Sequence, residues 1–597
     1  MNFTISKKQF DILIIGCGGA GLMAAVCAMN SGAKNIAVIS KVIPNNSHTV
    51  AAKGGINAAL ANVKDDNWQW HAFDTLKGSD YLADIDAVEI LCREANQAIL
   101  DLEKNGMVFS RDSFGKIAQR AYGGQTSNFG QGEIAYRACY SKDKTGHTIF
   151  YTLYEQALKN DVKFFSEFFV SDLFFTENSC SGCLAIDINR GELVIFESKI
   201  IILATGGYSQ IYQNTTSSLN CSGDGSGLVL AQGLALQDME FVQFHPTGIF
   251  GNGFLITEAA RGEGAFLLNS SGDRFMKNYA PKMMELASRD IISQAMATEI
   301  YQGRGAGKDK NFLHLDLRHL SDEVLNNKLP GVVELVKNFT RLDVKKDLIP
   351  VAPSAHYTMG GVPTNLDGEV LNNEKEVLGL MAIGEVACVS VHGANRLGCN
   401  SLLDLIVFGK IAGQKAAQKI SQLNFKNIDE IAAKKIAAKK IADFEKIFAP
   451  SSHQNQMSLI NLKKLLQENN EKNLGVFRDE KLLQLGFKKT KELFEIFKNY
   501  RIKNNSLLWN DEIISYFELK NLFLNSLATN FAALNRCESR GAHYRSDFPE
   551  RDDKNFYAHS LVKISDLKEN KLEFSLKMVR NVSAIPQLNL TFQSRKY

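Results

Sequence analysis

The sequence predicts an α/β fold that carries an inserted α+β domain and continues into a helical domain and a small C-terminal domain. Three observations lead to it. An apolar strand, Asp11-Ile12-Leu13-Ile14-Ile15, runs at once into Gly16-Cys17-Gly18-Gly19-Ala20-Gly21 and then into an apolar helix from Leu22 to about Ser31. A second apolar strand, Ile200-Ile201-Ile202-Leu203, runs into another glycine turn, Ala204-Thr205-Gly206-Gly207. Some 150 residues later a further Gly-rich stretch begins at His356, so residues from about Asp238 to Ala355 read as an insertion between parts of one domain.

Taken in order, the first strand, turn and helix are a GxGxxG in the context that gives it meaning. The first glycine permits a tight turn, the second lets backbone approach a pyrophosphate, and the third lets helix and strand pack closely. This is the signature of a Rossmann-like dinucleotide-binding domain. The next strand, Asn35 to Ile39, ends in Ser40-Lys41. A nicotinamide-dinucleotide site usually has an acidic residue near that point, so its absence leans away from NAD. A helix from Ala87 to Asn105 follows from the roughly helical spacing of Ile90, Leu91, Ala95, Ala98 and Leu102. Another runs through Leu158, and Gly223-Asp224-Gly225 opens a further one. From about Ile411 to Tyr500 the chain turns helical and Lys-rich. It contains a short duplication, Ile431-Ala432-Ala433-Lys434-Lys435 and Ile436-Ala437-Ala438-Lys439-Lys440, read as a solvated helix. Helices such as Leu482 to Phe497 follow. The dense block from Arg536 to Arg545, with Arg551-Asp552-Asp553 close behind, reads as a surface ion-pair network.

Length and composition set bounds. The 597 residues suffice for two to four domains. A net charge of +3 gives no reason to expect nucleic acid. The ten cysteines are scattered, as in a reducing compartment. Cys180-Ser181-Gly182-Cys183 is an isolated CxxC flanked by strand-like residues, and a β-turn with incidental thiols is expected there. No metal site is expected. No apolar run is long enough to span a bilayer. With the first strand beginning near Phe10, no cleaved targeting peptide is expected. Attachment to a membrane would have to come through another chain.

Chemistry-bearing residues gather in short segments. Ser47-His48-Thr49-Val50-Ala51-Ala52-Lys53-Gly54-Gly55 sets small residues and a glycine pair behind one histidine. Gly106-Met107-Val108-Phe109-Ser110-Arg111 and Thr145-Gly146-His147 follow. Phe244-His245-Pro246-Thr247-Gly248, Thr257-Glu258-Ala259-Ala260-Arg261 and Ser288-Arg289-Asp290 bound or lie within the insertion. His356-Tyr357-Thr358-Met359-Gly360-Gly361, Ile383-Gly384-Glu385 and His392 to Leu402 close the set. Each His alone reads as a structural residue and each Arg as half of a surface pair. Together, beside glycine turns, they are hard to obtain by accident.

Over nearly the whole chain these segments resemble the flavoprotein subunits of succinate dehydrogenase and fumarate reductase. The resemblance is closer to the dehydrogenase type in Ala387-Cys388-Val389-Ser390-Val391-His392-Gly393-Ala394 and in Asn395 to Leu402. It implies an FAD-binding domain at 1–237 and 356–410, a capping domain at 238–355, a helical domain at 411–540 and a C-terminal domain at 541–597. It implies FAD bonded covalently to His48. The FAD would be held by Gly16, Gly18, Gly19, Ala20, Gly21, Ser40, Lys41, Ser47, Thr49, Gly54, Gly55, Ala204, Thr205, Gly206, Asp224, Glu385, Ser401 and Leu402. Substrate would be a dicarboxylate, succinate or fumarate, bound by His245, Thr257, His356 and Arg396 with Phe109 nearby. Arg is the residue suited to gripping a carboxylate with two parallel hydrogen bonds. Arg289 would handle the substrate proton, relayed by Glu258 and Arg261, with Asp290 orienting the group. An iron-sulfur subunit and a quinone-reactive membrane anchor would be partners, at the cytoplasmic face of a bacterial inner membrane.

The alternatives differ in chemistry. One is the same subunit working as a fumarate reductase, another an L-aspartate oxidase-like soluble enzyme, which lacks the attachment histidine. A third is a flavin-binding paralogue without turnover, which need not retain the catalytic set. The sequence departs from the family where Asn45-Asn46 replace the Arg usual before Ser-His-Thr, and where Lys53 replaces Gln or Glu. An ammonium at Lys53 near the flavin ring would raise its potential. Cys399 would put a thiol beside FAD and make the site oxidant-sensitive.

Overall fold

The computed structural model describes residues 3–176, 178–423, 438–439, 441–448 and 456–589. The predicted first strand is longer than expected, Ile5–Ile15, and the helix begins inside the glycine run, Gly19–Asn30. Ile5–Ile15 lies between Ile36–Ser40 and Glu192–Leu203, parallel to both, with Ile15 opposite Ile39 on one side and Leu203 on the other. Lys375–Ala382 extends the parallel sheet beyond Glu192–Leu203, and Lys163–Ser166 extends it beyond Ile36–Ser40. The carboxyl ends of these strands therefore bring Gly16, Ser40, Ala204 and Ile383 to one edge, the crevice where an open parallel sheet binds ligands. Two glycines there have no alternative. A Cβ on Gly16 (φ +116°) would stand 2.1 Å from the Ala204 carbonyl oxygen, and one on Gly21 would stand 2.1 Å from the Gly16 oxygen.

The helix predicted from Ala87 forms as Ile85–Lys104 and buries Leu91, Ala95, Ala98 and Leu102 as the spacing required. It packs with Gly19–Asn30 and Asn400–Lys419 in one apolar cluster on one face of the sheet. The opposite face shares a single core with the helices Leu459–Asn473, Glu480–Lys498 and Asp511–Asn535, so Phe196 of the sheet and Phe523 of the last helix belong to one cluster. The helical segment thus has no separate core from the sheet it covers.

The insertion does have its own core, formed by residues such as Ile256, Leu267, Leu315 and Ile349. It is built on a four-stranded antiparallel sheet and the helices Arg289–Tyr301 and Pro330–Thr340. The strand that enters it, Val242–Ile249, pairs with the strand that leaves it, Ile349–Thr358, and Val242 stands opposite Thr358. Both connections to the parallel-sheet domain therefore run together as one two-stranded stem.

Two expectations need correction. Cys180 and Cys183 lie within a buried strand, Ser179–Asp187, not in a turn; opposite Phe175 and Phe196, their small side chains fit against aromatic rings, and both are free thiols. The Arg536 block is interior: Arg536, Glu538, Arg540 and Arg545 are at most 1% exposed, under the hairpin Ala558–Asp566 and Lys571–Met578. The Ile431 repeat, most of the Ile436 repeat and the terminal Arg595-Lys596-Tyr597 lie outside the described residues.

Candidate active site

A cavity of about 340 Å³ follows the crevice at the strand ends and runs under the inserted domain. Its floor is the glycine turn Gly16, Gly18, Gly19 and Ala20, followed by Ser40, Lys41, Ser47, His48 and Thr49. Gly54, Gly55, Ala204, Thr205, Gly206, Asp224, Glu385, Ser401 and Leu402 complete it. Every residue expected to hold a dinucleotide lines this cavity apart from Gly21, which serves the helix–strand contact. At the far end His245, Thr257, Glu258, Arg289, His356 and Arg396 line the same cavity.

Lys41 ends the second strand. Its ammonium pairs with Asp224 at 2.8 Å and with Glu518 of the last long helix at 2.6 Å, and it donates to Ser222 Oγ at 2.6 Å. Burial opposes its charge, but the two carboxylates outweigh burial and raise its pKa. Asp224 also accepts from Ser222 and from Asn521. A polar platform is thereby fixed where a ribose sits in a Rossmann-like domain. Glu518, which fixes Lys41 without itself lining the cavity, is a supporting residue that sequence reading missed.

His48 stands at the cavity wall. The Ser218 backbone N–H donates to its Nδ1 at 3.2 Å. That leaves Nε2 as the ring nitrogen available to a group in the cavity. Enclosure pulls its pKa down to about 4, so the imidazole is neutral at physiological pH. Lys53 is half-buried in the same wall; burial lowers its pKa, against the pull of Asp143 and of Glu334 on the inserted domain. Cys399 also lines the cavity, but burial pushes its thiol up to about 11. It is therefore protonated at neutral pH, and the expected oxidant sensitivity loses its basis, because the thiolate is the reactive form.

The chemical end is a cluster of positive groups on one buried carboxylate. Arg289 Nε donates to Glu258 Oε2 at 3.0 Å, and Arg261 Nη2 lies 3.7 Å from the same oxygen. The Gly123 N–H donates to Glu258 Oε1 at 3.0 Å. Burial pushes Glu258 up, but Arg289, Arg261 and these hydrogen bonds hold it below the usual carboxylate range. Gln243 Oε1 accepts from Arg289 Nη1 at 3.2 Å and from Arg396 Nη2 at 3.0 Å. Burial, then Arg289, brings Arg396 down to about 10. Burial and the same arginines hold His245 and His356 well below the usual histidine range. Asp290 accepts from Ser288 Oγ and Asn395 Nδ2, contacts that brace the turn leading into Arg289.

Phe109 does not reach the cavity. Met107 and Phe109 are each 2% exposed within the core, whereas Val108 between them is 73% exposed. Phe109 packs with Met107 in the apolar cluster of the sheet face. The aromatic residues that do line the cavity include Tyr122, Phe254 and Tyr357.

The residues fit FAD. Ser47 Oγ, His245 Nε2 and Arg396 Nε are buried without a protein hydrogen-bond partner, and all three residues line the cavity. A Cβ on Gly18 would stand a tight 3.3 Å from Thr49 Oγ1, and the glycine leaves that stretch of the cavity floor as bare backbone.

Known proteins agree. The family model described as "FAD binding domain" matches residues 11–402, and that described as "Fumarate reductase flavoprotein C-term" matches residues 463–597. The chain belongs to the succinate dehydrogenase and fumarate reductase flavoprotein family. It is 46% identical over 579 residues to the succinate dehydrogenase flavoprotein subunit of Rickettsia bellii, covering 96% of each chain. It is 41% identical over 558 residues to the 8-methylmenaquinol:fumarate reductase flavoprotein subunit of Wolinella succinogenes, covering 92% of this chain and 88% of that one. A solved chain described as E. coli quinol fumarate reductase FrdA superposes with a TM-score of 0.91 at 34% identity, covering 98% of both. As a member of this family the chain is an FAD-dependent oxidoreductase, the catalytic flavoprotein subunit of a complex II-type enzyme. Among the described residues no helix is long and apolar enough to cross a membrane, and no group of three or more His, Cys, Asp or Glu could hold a metal ion.

Proposed function

We propose that this subunit oxidises succinate to fumarate, with FAD bonded covalently to His48. The observation that carries the reading is the Arg289–Glu258 contact of 3.0 Å, set in a cavity wall that also presents His245, His356 and Arg396. A dianion is the natural guest of such a cluster, because its two carboxylates offset groups that depress one another's affinity for protons. His245, Thr257, His356 and Arg396 hold the carboxylates and orient the central C–C bond. FAD supplies the hydride acceptor when bound. Arg289 takes the neighbouring proton as it hands one to Glu258. A free guanidinium is a poor proton carrier, with a pKa above about 12. The carboxylate against it lowers the cost of the exchange, and Arg261 holds that carboxylate from the other side.

Electrons then pass to a separate iron-sulfur subunit and to quinone through a membrane anchor, with this chain peripheral on the cytoplasmic face of a bacterial inner membrane. The support is the family, and among relatives the quinol in the Wolinella enzyme's name. Fumarate reduction is the same chemistry in reverse. The dehydrogenase direction is favoured by the relatives named succinate dehydrogenase at 43–46% identity.

The test is anaerobic titration of the purified chain. Succinate should bleach the flavin absorbance and fumarate restore it; L-aspartate bleaching it instead would overturn the substrate. On an acid denaturing gel the band should fluoresce under ultraviolet light, and His48→Ser should abolish the fluorescence. A dark wild-type band would place the FAD as non-covalent and make the Asn45-Asn46 departure the reason.

A further inference from the structure

Three arginines meet at the chemical end of the cavity, and their charges are offset unequally. Arg289 and Arg261 share Glu258. Arg396 is 3% exposed, yet among the described residues no carboxylate pairs with it. Its Nη2 donates to Gln243 Oε1 at 3.0 Å and its Nη1 to the Leu397 carbonyl at 3.3 Å, while its Nε has no partner. What stands against its charge is an aromatic ring: the guanidinium carbon lies over Tyr357, 4.6 Å from the ring centre. Tyr357 belongs to the strand that leaves the inserted domain, and it stands directly opposite Gln243 of the strand that enters it. Residues paired across antiparallel strands project to the same side. The stem therefore grips Arg396 with two facing side chains, one by a hydrogen bond and one by a ring.

The ring is itself tethered. The Tyr357 hydroxyl lies 3.2 Å from His392 Nε2 and donates to Asp404 Oδ2 at 3.5 Å, and that His392 nitrogen is 3.7 Å from the same carboxylate oxygen. The Tyr357 and His392 rings meet edge to face with centres 5.2 Å apart. All three residues are buried. Asp404 belongs to the helix Asn400–Lys419, whose first turn lines the cavity through Ser401 and Leu402.

We propose that Tyr357 is a positioning residue for substrate: its ring offsets the charge of Arg396 without using up an N–H, which leaves Nε and the remaining donors free for a substrate carboxylate, and its hydroxyl holds the ring in place through His392 and Asp404. The inference rests on the succinate–fumarate reading above. A carboxylate in place of the ring would fill the guanidinium fork and compete with substrate. An aliphatic side chain would leave a buried cation with nothing against it on that side. A ring avoids both, because it attracts a cation through its face.

This role requires the ring's electrons and not merely its bulk, and fluorine separates the two. Successive fluorines draw charge from the ring face while hardly changing its volume. Phenylalanine and its mono- and trifluorinated analogues are placed at the Tyr357 position of the full chain. Malonate, a dicarboxylate that cannot be desaturated, is then titrated against the flavin absorbance. Its dissociation constant should rise stepwise with fluorine content. Tyr357→Leu should raise it by roughly 5- to 30-fold, the worth of a desolvated cation–π contact. Tyr357→Phe, which keeps the ring and loses the tether, should fall between Tyr357→Leu and the wild type. KM for succinate should follow the same order, while kcat and the flavin midpoint potential change little. Flavin content shows which variants fold, and the fluorinated rings, close in shape to phenylalanine, decide the matter if Tyr357→Leu does not fold. Malonate affinity indifferent to fluorine would reduce the ring to packing and overturn the proposal. Affinity that improves with fluorine would make the ring a competitor of substrate and overturn it as well. Failure of succinate to bleach the wild-type flavin would instead overturn the reading of function.

Discussion

Gln243 sets its amide oxygen against Arg289, accepting from Nη1 at 3.2 Å, while the same oxygen accepts from Arg396 Nη2 at 3.0 Å. Its amide nitrogen donates to Asn395 Oδ1 and to the Arg396 carbonyl, both at 2.8 Å, which fixes which end of the amide meets the guanidinium groups. One neutral side chain thus holds the proposed proton-transfer group and the proposed carboxylate-binding group in register. Gln243→Leu removes two hydrogen bonds to charged groups, each worth roughly 1.5–3 kcal/mol. Part of that loss falls on the transition state, so kcat/KM for succinate should drop by on the order of 10- to 100-fold. Steady-state kinetics check this, with retained flavin content showing that the fold survives.

Lys53 argues a different effect from the same wall. Its half-buried position beside the cavity, with Asp143 and Glu334 as the charges that act on it, brings a cation to a site where reduced flavin would carry negative charge. Lys53→Gln should therefore lower the flavin midpoint potential by about 30 mV or more, or ~1.4 kcal/mol for a two-electron couple. Spectroelectrochemical titration decides it; an unchanged potential would mean that the ammonium is spent on the inserted domain and not on the flavin.

What the sequence made legible follows from how local each signal is. The glycine run, His48 and the Ala204 turn are set by a few adjacent residues, and the structure brings them to one crevice. Gln243 was readable in principle: it lies two residues before His245 on one strand, and a period of two puts both on one face. Glu518 was not, because it meets Lys41 across 477 residues of sequence. Phe109 misled because its motif resembles the family's while its neighbours' alternation, Met107 in and Val108 out, turns it to the core. The Arg536 block misled for a third reason: dense charge reads as surface unless each charge has an interior partner, and partners distant in sequence cannot be seen.

His559 is one such interior charge, and it predicts a pH dependence. It is fully buried between Asp238 (Nδ1 to Oδ2, 2.7 Å) and Asp84 (Nε2 to Oδ1, 3.2 Å), with Ser390 Oγ also in reach and Arg580 on Asp84 at 2.9 Å. Burial alone would lower its pKa, but the two carboxylates outweigh burial and raise it to about 9. A folded-state pKa above the unfolded value of 6.5 means that the stabilisation is complete below 6.5 and is lost as pH rises through about 9. The full effect is on the order of 3 kcal/mol. Thermal unfolding followed from pH 6 to 9.5 should show a falling midpoint, and His559→Gln should flatten that part of the profile. Asp238 begins the stem into the inserted domain, so limited proteolysis there should rise over the same pH window.

Glu240 tests whether the buried charges stabilise the fold or only tolerate one another. Arg536 Nε donates to Glu240 Oε1 at 2.5 Å, Arg536 Nη1 to Glu538 at 2.9 Å, and Ser560 Oγ to the other Glu240 oxygen at 2.7 Å; both Glu240 and Arg536 are fully buried. Removing Glu240 leaves Arg536 with Glu538 as its remaining carboxylate partner, so the cost falls below the roughly 3–5 kcal/mol of a fully orphaned buried charge. Glu240→Gln should therefore lower the thermal midpoint by several degrees and shed flavin, since Glu240 precedes the strand that carries Gln243 and His245. The double variant Glu240→Met with Arg536→Met leaves no orphaned charge on that pair, and an apolar replacement of a buried pair is often neutral or stabilising. It should recover much of the loss. A double variant as unstable as Glu240→Gln would instead mean that Arg536 is needed for the Phe556 and Ala558 carbonyls it also caps, at 2.9 and 2.7 Å, and that the network ties the C-terminal hairpin to the stem through those bonds.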